Sequence, residues 1–305
     1  MMAPSVPECV WRVAATLGEG AVWHAASRCV VFVDIKGRRL YRFDPDTAMR
    51  RSWIAPGQIG FALPSVDGSW ICGIHGGLYQ FDFASGTFSR VLPVEGDRPG
   101  NRLNDGYVDR TGALWFGSMD DAERAPSGQL YRVGLDGQLS VRDSGYVITN
   151  GPTASPDGRT LYHTDTLQRV VYAFDLGDDG ALERKRVFTA IEGAGHPDGM
   201  AVDEEGCVWI ALFGGGRIER FAPDGRCIGR VEFPCSNITK LAFGGDDLQT
   251  VYATTARKGL TDAALQEQPL AGGLFAFRAP VKGLPSTECA VDFSAAVSAA
   301  ATGQS

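Results

Sequence analysis

Short segments in which polar and apolar residues alternate recur along the whole chain. One kind is a turn followed by an aromatic strand, at 66–74, 109–118, 155–165, 203–212 and 246–255, with a looser copy at 26–35. Its aromatic residue returns every 43 to 47 residues, as Trp70, Trp115, Tyr162, Trp209 and Tyr252. An alternation with a period of two predicts β-strands, and Asp-Gly turns separate them.

A second alternating segment follows each first one, giving six copies at 39–44, 77–82, 128–133, 170–175, 217–222 and 273–278. Repeats of about 40 to 47 residues with several strands each are typical of a β-propeller. The sequence therefore predicts an all-β, six-bladed propeller. A two-sheet sandwich is the alternative, but it does not predict even spacing.

The domain boundaries follow from the same repeat. We expect one propeller domain over 8–292, in which a strand near 9–13 pairs with the last blade and closes the ring, because closure removes exposed sheet edges. The tail at 293–305 is rich in small residues, and we expect it to be disordered.

Composition and charge narrow the function classes. The 305 residues are 44% hydrophobic, and the formal net charge is −7 without a basic run, which argues against a nucleic-acid partner. No basic segment followed by an apolar stretch opens the chain, and no run of about 18 apolar residues occurs, so neither secretion nor a membrane partner is expected. The seven scattered cysteines are expected to be reduced thiols, which agrees with a cytoplasmic location.

The predicted innermost strands of the blades lie at 17–24, 60–66, 102–109, 149–156, 196–203 and 237–244. Four of them carry an oxygen-bearing side chain at nearly the same position: Glu19, Asn104, Asn150 and Asp198. Innermost strands run in one direction along the channel, so these side chains should form a ring at one mouth. Such a ring suits a divalent cation. The alternative is that Asn-Gly and Asp-Gly are only turn formers.

Other chemistries are missing from the sequence. There is no nucleophile elbow, phosphate-binding loop or His-Glu-x-x-His motif. The four histidines lack ligand spacing, and His196 is either a neighbour of the cation site or a structural residue. A site of oxygen ligands is the chemical proposal that remains.

The motifs around the predicted ring resemble those of a known family. The segments LGEGAVWH, RLNDGYVD, ITNGPTASPDG and HPDGMAVDEEG are similar, in this order, to motifs of the SMP-30/gluconolactonase/regucalcin family. The resemblance covers roughly 10–290 and implies a six-bladed propeller with one divalent metal in the central channel. Two later stretches, at 162–176 and 254–277, resemble bacterial sugar lactonases that open pentonolactones.

The resemblance also implies roles for individual residues. The metal ligands would be Glu19, Asn150 and Asp198, with calcium, zinc, manganese, magnesium or iron(II) as the metal. Arg102 and Asn104 would hold substrate hydroxyls, and Asn104 would lie close enough to touch the metal as well.

An acidic residue of the loop at 118–128 would also contact the substrate. Asp120 and Glu123 are the candidates, with Asp121 between them. The sequence does not decide among the three.

The implied activity is metal-dependent hydrolysis of a sugar lactone, a small molecule such as xylono- or arabinonolactone, to its aldonic acid. Asp198 would be the catalytic residue, acting as general base on water or holding the water at the metal. The alternatives are another hydrolase on the same scaffold, similar to phosphotriesterases or arylesterases, and a non-catalytic binding propeller. No oligomeric state is predicted.

Overall fold

The computed structural model describes residues 5–294, which form six four-stranded antiparallel sheets arranged around a channel. In blades 1 to 5 the strands follow one another from the channel outwards in chain order. The innermost strands of neighbouring blades pack against each other around the full circle. The predicted six-bladed β-propeller is therefore confirmed.

The first five blades each consist of four consecutive strands. Blade 1 contains β2 (Gly18–His24), β3 (Cys29–Asp34), β4 (Arg39–Phe43) and β5 (Arg50–Ile54), and blade 2 contains β6 (Ile59–Pro64), β7 (Trp70–Ile74), β8 (Gly77–Asp82) and β9 (Thr87–Pro93). Blade 3 contains β10 (Asn101–Val108), β11 (Leu114–Asp120), β12 (Gly128–Val133) and β13 (Leu139–Tyr146), and blade 4 contains β14 (Thr149–Ala154), β15 (Thr160–Asp165), β16 (Val170–Leu176) and β17 (Leu182–Ala190). Blade 5 contains β18 (His196–Val202), β19 (Val208–Phe213), β20 (Arg217–Phe221) and β21 (Cys227–Glu232).

Blade 6 is built from both ends of the chain. It contains β22 (Ile238–Gly244), β23 (Thr250–Thr255) and β24 (Leu274–Arg278), and its outer strand is β1 (Glu8–Trp11). β1 lies antiparallel to β24, with Cys9 opposite Phe275. This pairing closes the ring as predicted and covers an edge that would otherwise offer unpaired backbone groups.

All six innermost strands have an irregular register near the same level of the channel. The irregularity follows Glu19 in β2, Leu103 in β10, Asn150 in β14 and Pro197 in β18, with counterparts in β6 and β22. Such bulges add a residue to one strand and redirect its side chains. The bulges lie next to the predicted ring residues, so they help to aim those side chains at the channel mouth.

Glycines next to the ring residues make these bulges possible. Gly20 and Gly151 have φ angles of 60° and 42°, in the left-handed region that favours glycine. At Gly60 a Cβ atom would lie 2.2 Å from the backbone oxygen of Asn104. Crowding around the channel thus explains why glycines stand beside the polar ring residues in the sequence.

The recurring aromatic residues lie on the second strand of their blades and are 0% to 5% exposed. In blades 3 and 5 the turn before this strand starts with an aspartate that accepts a hydrogen bond from the indole. Trp115 donates to Asp109 at 2.8 Å, and Trp209 donates to Asp203 at 2.8 Å. These buried rings fill the space between sheets, and each contributes about 1.5–3 kcal/mol by burial.

The one helix among the described residues, α1 (Asp262–Glu267), lies between β23 and β24, and Thr261 caps it by accepting from the amide of Ala264. No helix in the described part of the chain is long and apolar enough to cross a membrane. The predicted disordered tail falls, except for its first two residues, outside the described residues, and the domain limits of 8–292 stay a prediction.

Candidate metal and substrate site

One mouth of the channel opens into a cavity of about 220 Å³. Its walls come from innermost strands and from loops at the same end of the propeller. The lining residues are Leu17, Glu19, Arg102, Asn104, Glu123, Ile148, Asn150, Thr166, Leu167, His196, Asp198, Phe213 and Lys258. The structure thus brings together the predicted site residues except Asp120 and its neighbour Asp121.

Two carboxyl groups meet on the wall of this cavity. Glu19 and Asp198 come from blades 1 and 5, are 4% and 5% exposed, and share a side-chain hydrogen bond. Burial, and then the charge of Asp105, raise the pKa of Glu19 from 4.5 to about 7. Burial, and then the charge of Glu19, raise the pKa of Asp198 well above its ordinary value. Without a cation, the pair therefore holds a proton more readily than ordinary carboxylates do.

Two amide side chains extend this arrangement across blades 3 and 4. Asn104 donates through Nδ2 to Oδ1 of Asn150 at 2.7 Å and to the backbone oxygen of Thr149 at 2.6 Å. Asn150 donates through its own Nδ2 to the hydroxyl of Thr166 at 2.9 Å. These bonds fix the orientation of both amides, and both residues line the cavity.

Arg102 is buried against the same wall. Its Nε donates to Asp121 at 2.9 Å, and one terminal nitrogen donates to Oδ1 of Asn104 at 2.5 Å. Asp121 also accepts from Lys36 at 2.6 Å and from Gln58 at 3.0 Å. Burial opposes ionisation of Asp121, but these bonds and the nearby positive charges lower its pKa to about 2. The fork of Arg102 is thereby held in a fixed position at the cavity.

The three acidic residues at the end of β11 and in the loop after it have different surroundings. Glu123 lines the cavity and forms an ion pair with Lys258 from the segment after β23. Asp121 holds Arg102. Asp120 accepts hydrogen bonds from the backbone amides of Ala122, Arg124 and Ala125 and is absent from the cavity wall, so its predicted substrate contact stays a prediction.

Sequence patterns did not single out two lysines of this region. Lys240 donates to Asp105 at 2.6 Å inside the channel, and Lys258 reaches the cavity from blade 6. Lys240 was detectable in principle, because it is a charged residue within the innermost strand ITKLAFG. His196 lies on the cavity wall and is half-buried, but no side-chain hydrogen bond to another described residue assigns it a role.

The donor set fits a hard divalent cation. Two carboxylates and an amide oxygen converge from Glu19, Asp198 and Asn150, and such oxygen ligands suit calcium, magnesium or manganese. Within residues 5–294 no group of three or more His, Cys, Asp or Glu side chains is positioned as a metal cluster. Any cation here would therefore need the amide as well as the two carboxylates.

Comparison with known proteins places the chain in a family. The SMP-30/gluconolactonase/LRE-like region matches residues 17–257. An L-arabinolactonase from Azospirillum brasilense is 37% identical over 265 residues, which cover 85% of this chain and 87% of that protein. A 6-deoxy-6-sulfogluconolactonase from Pseudomonas putida is 33% identical over 278 residues, covering 90% and 96%. The enzyme class predicted from the motifs, a lactonase, is confirmed by these relatives.

Solved structures agree with this assignment. A calcium-binding protein, regucalcin, from Agrobacterium tumefaciens superimposes with a TM-score of 0.90 at 29% identity, covering 94% of this chain and 98% of that one. The chain therefore belongs to the SMP-30/gluconolactonase/regucalcin family, as its motifs predict.

Proposed function

We propose that this protein hydrolyses a sugar lactone, an aldonolactone of the pentono type, to its aldonic acid with the help of a divalent cation. The observation that carries the proposal is the convergence of Glu19, Asn150 and Asp198 from blades 1, 4 and 5 on one cavity that also contains Arg102 and Asn104. The names of the lactonase relatives support the reaction class, and the L-arabinolactonase supports a pentonolactone.

The cation would be held by Glu19, Asn150 and Asp198. When bound, a divalent cation at this place supplies Lewis-acid polarisation of the lactone carbonyl oxygen. The protein's contribution is to hold two carboxylates and one amide oxygen in a buried site, where their charge is little screened.

The hydrogen-bonding groups of the cavity wall would orient the substrate. Arg102 offers N–H donors to sugar hydroxyls, and the amide oxygen of Asn104 and the carboxylate of Glu123 offer acceptors. Arg102 and Lys258 line the cavity, and each is paired with a carboxylate, Asp121 and Glu123 respectively. Since the positive charges of both side chains are already paired, the site favours a neutral polyhydroxylated lactone over one with an anionic substituent.

Asp198 is the proposed general base. Its carboxylate lies on the cavity wall, where it can accept a proton from the attacking water. The water oxygen bonds to the carbonyl carbon, the ring carbon–oxygen bond breaks, and the ring oxygen leaves as a hydroxyl group after taking up a proton. The Asp198 carboxyl, protonated in the first step, is a suitable donor for the second.

A pH-indicator assay tests the proposal directly. The protein should accelerate acid release from arabinono- or xylonolactone above the spontaneous rate, and a chelator should abolish the acceleration until a divalent metal is restored. Asp198→Asn should lower kcat by about 100-fold or more. Asp178→Asn serves as a control, because that side chain is 92% exposed and lies in a surface ion pair. Full activity in the chelated protein would overturn the metal role, and no acceleration of any lactone would overturn the function.

A further inference from the structure

A buried ion pair crosses the propeller channel next to the candidate metal site. Lys240 lies on β22 of blade 6 and Asp105 on β10 of blade 3, which are opposite each other in a ring of six. Their N–O distance is 2.6 Å, and the side chains are 8% and 2% exposed. Lys240 therefore spans the channel, and it also lines a second cavity of about 280 Å³ at the other end of the channel.

The surroundings hold both members of the pair in place. Asp105 accepts hydrogen bonds from the backbone amides of Gly106 at 2.9 Å and Gly151 at 3.0 Å. The stem of Lys240 passes over Gly199, where a Cβ atom would lie 2.3 Å from the Lys240 Cδ atom. Gly199 follows Asp198 directly, so the glycine beside the candidate ligand makes room for the lysine.

The pair changes the charge of the site. Three carboxylates face the channel at this level: Glu19, Asp105 and Asp198, and each acts electrostatically on its neighbours. Lys240 neutralises Asp105, and Arg102 is neutralised by Asp121. When both are ionised, as with a cation bound, Glu19 and Asp198 give the site two negative charges, which balance the charge of one divalent cation.

We propose that Lys240 determines the charge selectivity of the cation site: by neutralising Asp105, it adapts the site to divalent ions and disfavours trivalent ions. The inference rests on the cation site proposed above. Lys240 is a positioning and specificity residue in this scheme, because it acts through Asp105 and contacts neither the cation nor the substrate.

The test is calorimetric titration of the metal-stripped full-length protein with Ca²⁺ and with Tb³⁺, ions of similar radius and different charge. Lys240→Met removes the positive charge and keeps the length of the side chain, so affinity for Tb³⁺ relative to Ca²⁺ should rise at least about tenfold. Asp105→Asn leaves the ammonium without its counter-charge, so affinity for Ca²⁺ should fall at least about tenfold. The double variant restores the charge and should stay within about threefold of the wild type.

The opposite signs of the two single variants distinguish charge selectivity from a purely structural role. If Lys240 only plugs the channel, both single variants should weaken the binding of both ions. Lys185→Met is the matched control. Lys185 lies on the outer strand β17 and pairs with Asp143 at the same N–O distance of 2.6 Å. The preference of this variant between Ca²⁺ and Tb³⁺ should equal that of the wild type.

Each outcome bears on the proposal. Parallel losses in both single variants, or no change in preference, overturn it. Where a single variant does not fold, the double variant decides, since a preference more than about threefold from the wild type's contradicts the charge argument. Failure of the wild-type protein to bind Ca²⁺ or any other divalent ion would instead overturn the cation site itself.

Discussion

The carboxyl groups of Glu19 and Asp198 share a hydrogen bond although their blades, 1 and 5, are not neighbours in the ring. The two residues are separated by most of the chain, and the circular closure of the propeller brings them together. Two buried carboxyl groups that interact in this way cannot both carry a charge without a cation or a large free-energy cost. The relationship therefore links metal binding, protonation and folding at one place.

Removing the Glu19 charge should change how the stability of the metal-free protein depends on pH. The pKa of Glu19 is about 7 in the folded protein and 4.5 ordinarily, so the proton stabilises the folded state fully below about pH 4.5. That contribution is lost as the pH rises through about 7. Relative to wild type, Glu19→Gln should gain up to about 3 kcal/mol between pH 5 and pH 8.

The measurement is denaturant unfolding of both proteins with a chelator present. A free-energy difference that stays constant over this pH range would contradict the prediction. Adding a divalent metal should remove most of the pH dependence of the wild type, because the cation replaces the proton between the two carboxylates.

His163 should control part of the acid sensitivity of the fold. It is fully buried against Tyr146, neither ring nitrogen has a hydrogen-bond partner among the described residues, and burial lowers its pKa from 6.5 to about 3. The unfolded chain takes up this proton below about pH 6.5 and the folded protein does not, so stability falls as the pH drops from 6.5 towards 3. His163→Leu should make that decline shallower.

Acid unfolding followed by tryptophan fluorescence checks this expectation. His75→Leu is the control, because His75 is exposed and its substitution should leave the acid limb of the curve as in wild type. An unchanged acid midpoint in His163→Leu would argue that other groups dominate.

Asp203 should be among the costliest single residues to remove. It is fully buried and accepts from the indole of Trp209 and from Arg220, both at 2.8 Å. Asp203→Ala removes the buried counter-charge of Arg220, so we expect the free energy of unfolding to fall by about 3–5 kcal/mol. Asp224→Asn, in an exposed pair with Arg226, should lose almost nothing.

Unfolding free energies measure this difference. Because Asp203 follows the end of β18 and neither it nor Trp209 nor Arg220 lines the cavity, lactone turnover per folded molecule should remain near that of wild type. A loss below about 1 kcal/mol in Asp203→Ala would contradict the assignment of this cluster as a main support of blade 5.

Asp121 should act on substrate binding through Arg102. Asp121→Asn weakens the charged bond to the Arg102 Nε atom and should raise KM for the lactone about tenfold, with a smaller effect on kcat. Lys36→Met removes a different partner of Asp121 and keeps the Arg102 bond, so its KM should stay close to that of wild type. Equal effects of the two substitutions would point to general loosening of the loop.

The sequence by itself determined the architecture and most of the candidate site. The even recurrence of aromatic strands predicted six blades, and the inner strands begin and end within two residues of their expected positions. Because repeated units occupy equivalent places around an axis, the register also brought Glu19, Asn150 and Asp198 to one ring. These features depend on local alternation and on a period along the chain, both of which are visible in the sequence.

Only the tertiary structure decided which polar groups meet across the channel and within loops. The Lys240–Asp105 pair joins residues 135 positions apart on opposite blades, and no local pattern encodes that contact. Likewise, Asp120, Asp121 and Glu123 are chemically similar in sequence, but the turn directs the first to backbone amides of the same loop, the second to Arg102 and the third to Lys258. A backbone turn rotates neighbouring side chains to different partners, so their roles follow from three-dimensional geometry.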